Sequence, residues 1–170
     1  MKTFKQLAAV AALALPVAAA NAAEVVIDLS ANIDPTLSVL QANGSPMPQN
    51  LELAYNAATR DVVAPTIHTR LYTNDITQNV GVRLGSVPSL IHTTNSATPP
   101  IALTVQLDGV NIAATDTTFD AADIWTGVQT GESKTLPLVV SGRAPGAGLP
   151  TAGRYAGRLE LLIVASASNN

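Results

Sequence analysis

The chain has no cysteine, only two histidines, and few aromatic or charged residues, at 4% and 12% of its 170 positions. An exported chain without cysteine cannot be stapled by disulfides, so packing or partners must hold it together. The histidines, His68 and His92, stand outside any H-E-x-x-H spacing, and with no thiolate available a zinc site would need both of them plus acids. No metal or other cofactor is expected. Nor do the arginines and lysines collect into a basic face. Arg60, Arg70, Arg83, Lys134, Arg143, Arg154 and Arg158 are scattered, with no interleaved aromatics to track phosphates, which argues against nucleic acid. Candidate nucleophiles fare no better. Gly85-Ser86 lacks the flanking glycines of a nucleophile elbow, and Gly146-Ala147-Gly148 sits in a loop instead of between a strand and a helix. Asp120 and Asp123 read as a solvated loop, and the single tryptophan, Trp125, as core or interface. The chain is therefore not expected to be an enzyme.

What is present begins with a leader. Lys2 and Lys5 precede an apolar run from Leu7 to Ala20, and Ala20-Asn21-Ala22 has the small residues of a cleavage site. Residues 1–22 read as a secretory signal peptide, too short for a membrane span of about 20 apolar residues. Cleavage before Ala23 leaves 148 residues, 170 less the leader's 22, enough for one domain with its own core. Losing Lys2 and Lys5 takes the net charge from −3 to −5. Against this sparse charge, 47% of the residues are hydrophobic, which points to surface buried between subunits.

The first segment after the leader has the clearest pattern in the chain. Val25, Ile27, Leu29, Ala31 and Ile33 are apolar and alternate with polar neighbours, only Val26 breaking the rhythm before Asp34-Pro35 ends it. Alternation of period two makes a strand with one apolar edge. Such a strand can open its own domain, or it can complete a neighbour.

Further along, short alternating runs are separated by turn chemistry. Thr36 to Leu40, Leu51 to Tyr55, Thr66 to Tyr72, Val80 to Leu84, Ile101 to Leu107, Val110 to Ala114, Thr135 to Ser141 and Tyr155 to Val164 all read as strands. Asn43-Gly44 and Asp108-Gly109 read as tight hairpin turns, because these residues tolerate positive φ. The first also matches a glycosylation acceptor with Ser45, but the turn is the simpler reading. Pro137 should confine its strand to an edge or a bulge, and Phe119 to Trp125 has room for one helical turn. The last run puts Tyr155, Gly157, Leu159, Leu161 and Ile163 on one face. Eight to ten short strands with almost no helix predict an all-β sandwich.

Several of these residues, taken in order, carry a likeness. Asp34-Pro35-Thr36-Leu37, Leu40-Gln41-Ala42-Asn43-Gly44-Ser45, Thr73-Asn74-Asp75 and Pro150-Thr151-Ala152-Gly153-Arg154-Tyr155-Ala156-Gly157 resemble the colonisation factor antigen family of fimbrial major subunits, the alpha or alternate chaperone-usher pilins. The likeness runs from Ala23 to about Val164; the tail Ser166 to Asn170 and Ala165 depart from it. It implies an incomplete immunoglobulin-like domain at 36–170 that lacks its final strand. Donor-strand complementation supplies that strand, first from a periplasmic chaperone and then from segment 23–35 of the next identical subunit. In this reading Val25, Ile27, Leu29, Ala31 and Ile33 are the donor row, and Tyr155, Leu159, Leu161 and Ile163 line the acceptor groove. The implied function is that of a structural subunit of a surface fimbria supporting adhesion. An outer-membrane usher and a tip adhesin would be its further partners. A minor or tip pilin that binds a receptor, or a secreted carbohydrate-binding sandwich, are the competing readings.

Overall fold

A computed structural model describes residues 36–166. The expected leader 1–22, the expected donor 23–35 and the end of the tail, 167–170, lie outside the described residues. Twelve short strands and one four-residue helix make up the described part: β1 (Leu37–Gln41), β2 (Ala54–Asn56), β3 (Asp61–Val63), β4 (Ile67–Thr73), β5 (Asn79–Leu84), β6 (Ser89–His92), β7 (Ile101–Leu107), β8 (Val110–Ile112), β9 (Thr117–Phe119), α1 (Ala121–Ile124), β10 (Leu136–Arg143), β11 (Tyr155–Ala156) and β12 (Leu161–Ser166). All pairings are antiparallel.

The strands form two sheets. The larger runs β1-β4-β10-β7-β6-β11, with β8 beside β7, β3 beside the far end of β10, and β2 beside β3; the smaller runs β12-β5-β9. Alternation decides what lies between them. On β4, Thr69 and Leu71 are buried while His68 is exposed, and on β10 Leu136, Leu138 and Val140 are buried. The leucines and Val140, with Val105 and Leu107, join Val80, Val82 and Leu84 of β5 in a single core cluster. Thr69 is tolerated beside them because its hydroxyl donates to the Leu136 carbonyl at 2.6 Å.

The β7–β8 turn is as expected: Asp108 and Gly109 have φ of 51° and 78°, the consecutive left-handed pair of a primed hairpin turn. Asn43-Gly44 also turns the chain, the Gly44 N–H donating to Gln41 O at 2.8 Å, but pairing beyond it stops at one bridge, Leu40 with Pro46. Pro46 and Pro48 lack the donors to extend it. The expected helical turn is α1, and Trp125 just after it is half-buried, its indole N–H donating to Gln78 O at 2.8 Å. The strand expected at Leu51 to Tyr55 is shorter and later, at β2.

Two expectations need correction. The strand holding Pro137 is neither an edge nor bulged: β10 has β4 and β3 on one side and β7 on the other. Proline is accommodated because it stands second in β10, beyond the last β10–β7 pair, Leu138 with Leu107. Its carbonyl accepts the Asp108 N–H of the hairpin turn at 2.9 Å, and no ladder donor is required from its nitrogen on that side.

The last strand, expected to be continuous from Tyr155 to Val164, is divided. Tyr155–Ala156 pairs with β6 in the larger sheet, and Leu161–Ser166 pairs with β5 in the smaller. The chain crosses between the sheets at Gly157 to Leu159. Gly157 permits this, since a Cβ there would stand 2.1 Å from the Ser89 carbonyl oxygen. By Glu160 the chain has reached the second sheet, its carbonyl accepting the Gly85 N–H at 2.9 Å.

Candidate functional site

Among the described residues, β1 at one end of the larger sheet and β12 at one end of the smaller each have a side without a partner strand, β1 carrying there only the Leu40–Pro46 bridge. In an antiparallel strand a residue's N–H and C=O point to the same side, and successive residues alternate. Glu160 bonds toward β5, so Leu162 and Val164 do as well. Leu161, Ile163 and Ala165 therefore turn their main-chain groups to the open side. The Leu84 N–H agrees, pointing away from β12 to Ala113 O at 2.7 Å. On β1 the Ala42 N–H donates to His68 O of the β4 side at 2.7 Å, which places the main-chain groups of Leu37 and Val39 on the open side in the same way.

A groove of about 1450 Å³ lies along this opening. Val39, Ile67, Leu103, Leu138 and Val140 of the larger sheet reach it, and Leu161 and Ile163 of the smaller border it together with Leu159 of the crossing segment. Leu37, Val39, Met47, Leu51, Leu53, Ile67, Leu103, Leu159, Leu161 and Ile163 are all only partly buried while packing on the core. The core is thus open on one side. An apolar interior flanked by unpaired strand edges can receive an extended segment, with main-chain bonds to the edges and alternate side chains inside.

All four residues expected in the groove line it. Leu159, Leu161 and Ile163 lie before and on β12, whereas Tyr155 belongs to β11 in the other sheet. Its ring meets His92 edge-on at 4.9 Å, and its hydroxyl donates to Thr151 O at 2.8 Å. The β1 side of the groove and the residues Met47, Leu51 and Leu53 were not foreseen from sequence. Only the spacing of Leu51 and Leu53 carried a signal, because nothing local reveals which sheet edge stays unpaired. The expected donor row, Val25, Ile27, Leu29, Ala31 and Ile33, lies outside the described residues.

The ionisable residues have other duties. Glu132, buried in the segment before β10, accepts from the Arg70 guanidinium and from the Tyr72 hydroxyl at 3.2 Å, and from the Gln129 N–H at 3.3 Å. The Arg70 hydrogen bond holds its carboxyl below the usual carboxylate range, although burial pushes the other way. Beside it, Leu71 and Ser133 exchange bonds of 2.9 Å, fastening this segment to β4. His92 is buried, with Nδ1 accepting from Asn95 N–H at 3.1 Å and Nε2 facing Ala152 O at 3.2 Å. His68 is exposed on β4, and among the described residues no three His, Cys, Asp or Glu side chains gather to hold a metal.

Comparison with known proteins agrees with this architecture. The CS1 type fimbrial major subunit family matches residues 23–164. The chain is 34% identical over 168 residues to a CFA/I fimbrial subunit of Escherichia coli, covering 96% of this chain and 98% of that protein. With a CS1 fimbrial subunit of Escherichia coli it shares 31% identity over 151 residues, 86% of this chain and 88% of that one. The solved CooA pilin subunit from enterotoxigenic Escherichia coli superposes with a TM-score of 0.69 at 29% identity, over 79% of this chain and 90% of that one. A structure described as a chaperone-tip adhesin complex vital for activation of CFA/I fimbriae biogenesis shares the fold, at a TM-score of 0.51 and 14% identity over 77% of this chain and 42% of that one. An antiparallel immunoglobulin-like domain, matched over nearly its whole length by fimbrial subunits, makes this chain a structural pilin of the CS1 type fimbrial major subunit family.

Proposed function

We propose that the chain polymerises by inserting segment 23–35 into the groove between β1 and β12 of the next subunit. The observation that carries this reading is a pair of strand edges, without a partner strand among the described residues, that flank an open apolar core and leave space for one more strand. Segment 23–35 suits it, with Val25, Ile27, Leu29 and Ile33 on one edge and the smaller Ala31 among them. Burying each larger side chain contributes about 1.5 to 3 kcal/mol before ordering costs, so one strand can hold two subunits firmly. Each contact is heterologous, head to tail, and propagates as an open filament instead of a closed ring.

Before assembly, a periplasmic chaperone fills the same groove after residues 1–22 direct export and are removed. An outer-membrane usher then exchanges chaperone for donor, and a tip adhesin ends the filament. The chain acts by assembly and performs no catalytic step. Leu29→Asp or Ile33→Asp is expected to abolish filaments while the chaperone-bound form still accumulates, because an unpaired carboxylate in the groove costs several kcal/mol. Electron microscopy of cells making only the variant is the check, and normal filaments there would contradict the reading.

A further inference from the structure

One apolar side chain at the groove contributes little to the subunit itself. Leu149 borders the groove yet is 77% exposed. Its loop, between β10 and β11, is nevertheless held at several points. Ala144 N–H donates to Arg60 O at 2.9 Å, the Arg60 guanidinium donates to the carbonyls of Gly146 and Gly148, and the Tyr155 hydroxyl donates to Thr151 O at 2.8 Å. Arg60 itself closes the β2–β3 hairpin with φ of 63°, a region that side chains rarely adopt. One residue thus joins that hairpin to the loop carrying Leu149.

We propose that Leu149 packs over the inserted donor strand as an outer clamp on the groove, and that Arg60 is the residue that positions it. This rests on the donor-strand reading above and adds a specificity-determining contact outside the floor and edges. A leucine held at the rim of an empty apolar groove gains burial only when the groove is filled. Its effect therefore belongs to filament dissociation and not to the stability of the unfilled domain. Leu149→Ala is expected to shorten the half-time of filament dissociation in denaturant by about tenfold or more, the equivalent of burying one leucine side chain.

The absence of cysteine makes a direct test possible. In the full-length chain Leu149→Cys is combined in turn with Val25→Cys, Ile27→Cys, Leu29→Cys, Ala31→Cys and Ile33→Cys, and oxidised filaments are run on non-reducing gels. A ladder of linked multimers is expected for at least one pair. Leu161→Cys with the same five donor positions serves as the parallel series. Ladders from Leu161 pairs but none from Leu149 pairs would overturn the clamp and leave the donor-strand reading standing. No ladder from either series would overturn both. Adding Arg60→Ala is expected to lower the Leu149 ladder severalfold while the Leu161 ladder holds, a split that general damage to the fold would not give. Equal Leu149 yield with and without Arg60 would remove Arg60 from the proposal.

Discussion

Glu132 depends on a partner that no local pattern could have named. Arg70 lies 62 residues earlier in the chain, and the two meet only because β4 and the segment before β10 run side by side. Its lowered folded value sets the sign of a pH effect. The unfolded chain takes up a proton at the ordinary glutamate value, whereas the folded chain does so lower, so the stabilisation is complete above the unfolded value and is lost as pH falls through the folded one. Asp75 acts in the same sense through the hydroxyl of Thr77. Glu132→Gln should therefore lose less stability than the wild type between about pH 5 and acid unfolding, as read by urea midpoints; parallel losses would contradict this role. At the neighbouring position, Ser133→Ala leaves the buried Leu71 N–H without its side-chain acceptor. A loss of about 1 to 3 kcal/mol is expected in the same measurement. Asp108-Gly109, by contrast, was legible in full, since a turn needing two positive φ values names its own residues.

At the scale of elements, alternation identified β4, β5, β7 and β10, whose buried rows are long enough to show a period of two. It missed β3, β6 and β9, which have three or four residues each and too few repeats of the pattern to stand out. It also read the last strand as one, because Tyr155, Leu159, Leu161 and Ile163 keep their spacing while the backbone changes sheets between them. Which side of a strand is left unpaired is a property of the assembled sheet. That edge makes a prediction of its own. In the filament the N–H groups of Leu161, Ile163 and Ala165 should exchange with solvent deuterium as slowly as those of Leu162 and Val164, which β5 already engages. Residue-resolved exchange on filaments, read by NMR after dissolution, provides the check. Fast exchange at the three alternate positions would mean that no strand is added to β12.

For the molecule as a whole, the sandwich class was readable from sequence; Leu161 and Ile163 of β12 were named through the family resemblance, and the β1 wall was not named at all. The apolar rows of β1 and β12 are ordinary as sequences, and only the packed sheets reveal that the core between them is open. Segment 23–35 is its proposed counterpart, a sequence in which apolar and polar residues alternate. The claim that joins the two is that donor side chains of one subunit pack on the β12 wall of the next. A double-mutant cycle on purified filaments tests it most directly, pairing Leu161→Ala with Ala substitutions at Ile27, Leu29 and Ile33 and scoring dissociation in denaturant. Leu161→Ala alone should weaken the filament by about 2 to 5 kcal/mol. At least one pair should show a coupling of roughly 0.5 kcal/mol or more, whereas coupling within error of zero for all three would place the donor elsewhere and contradict the account.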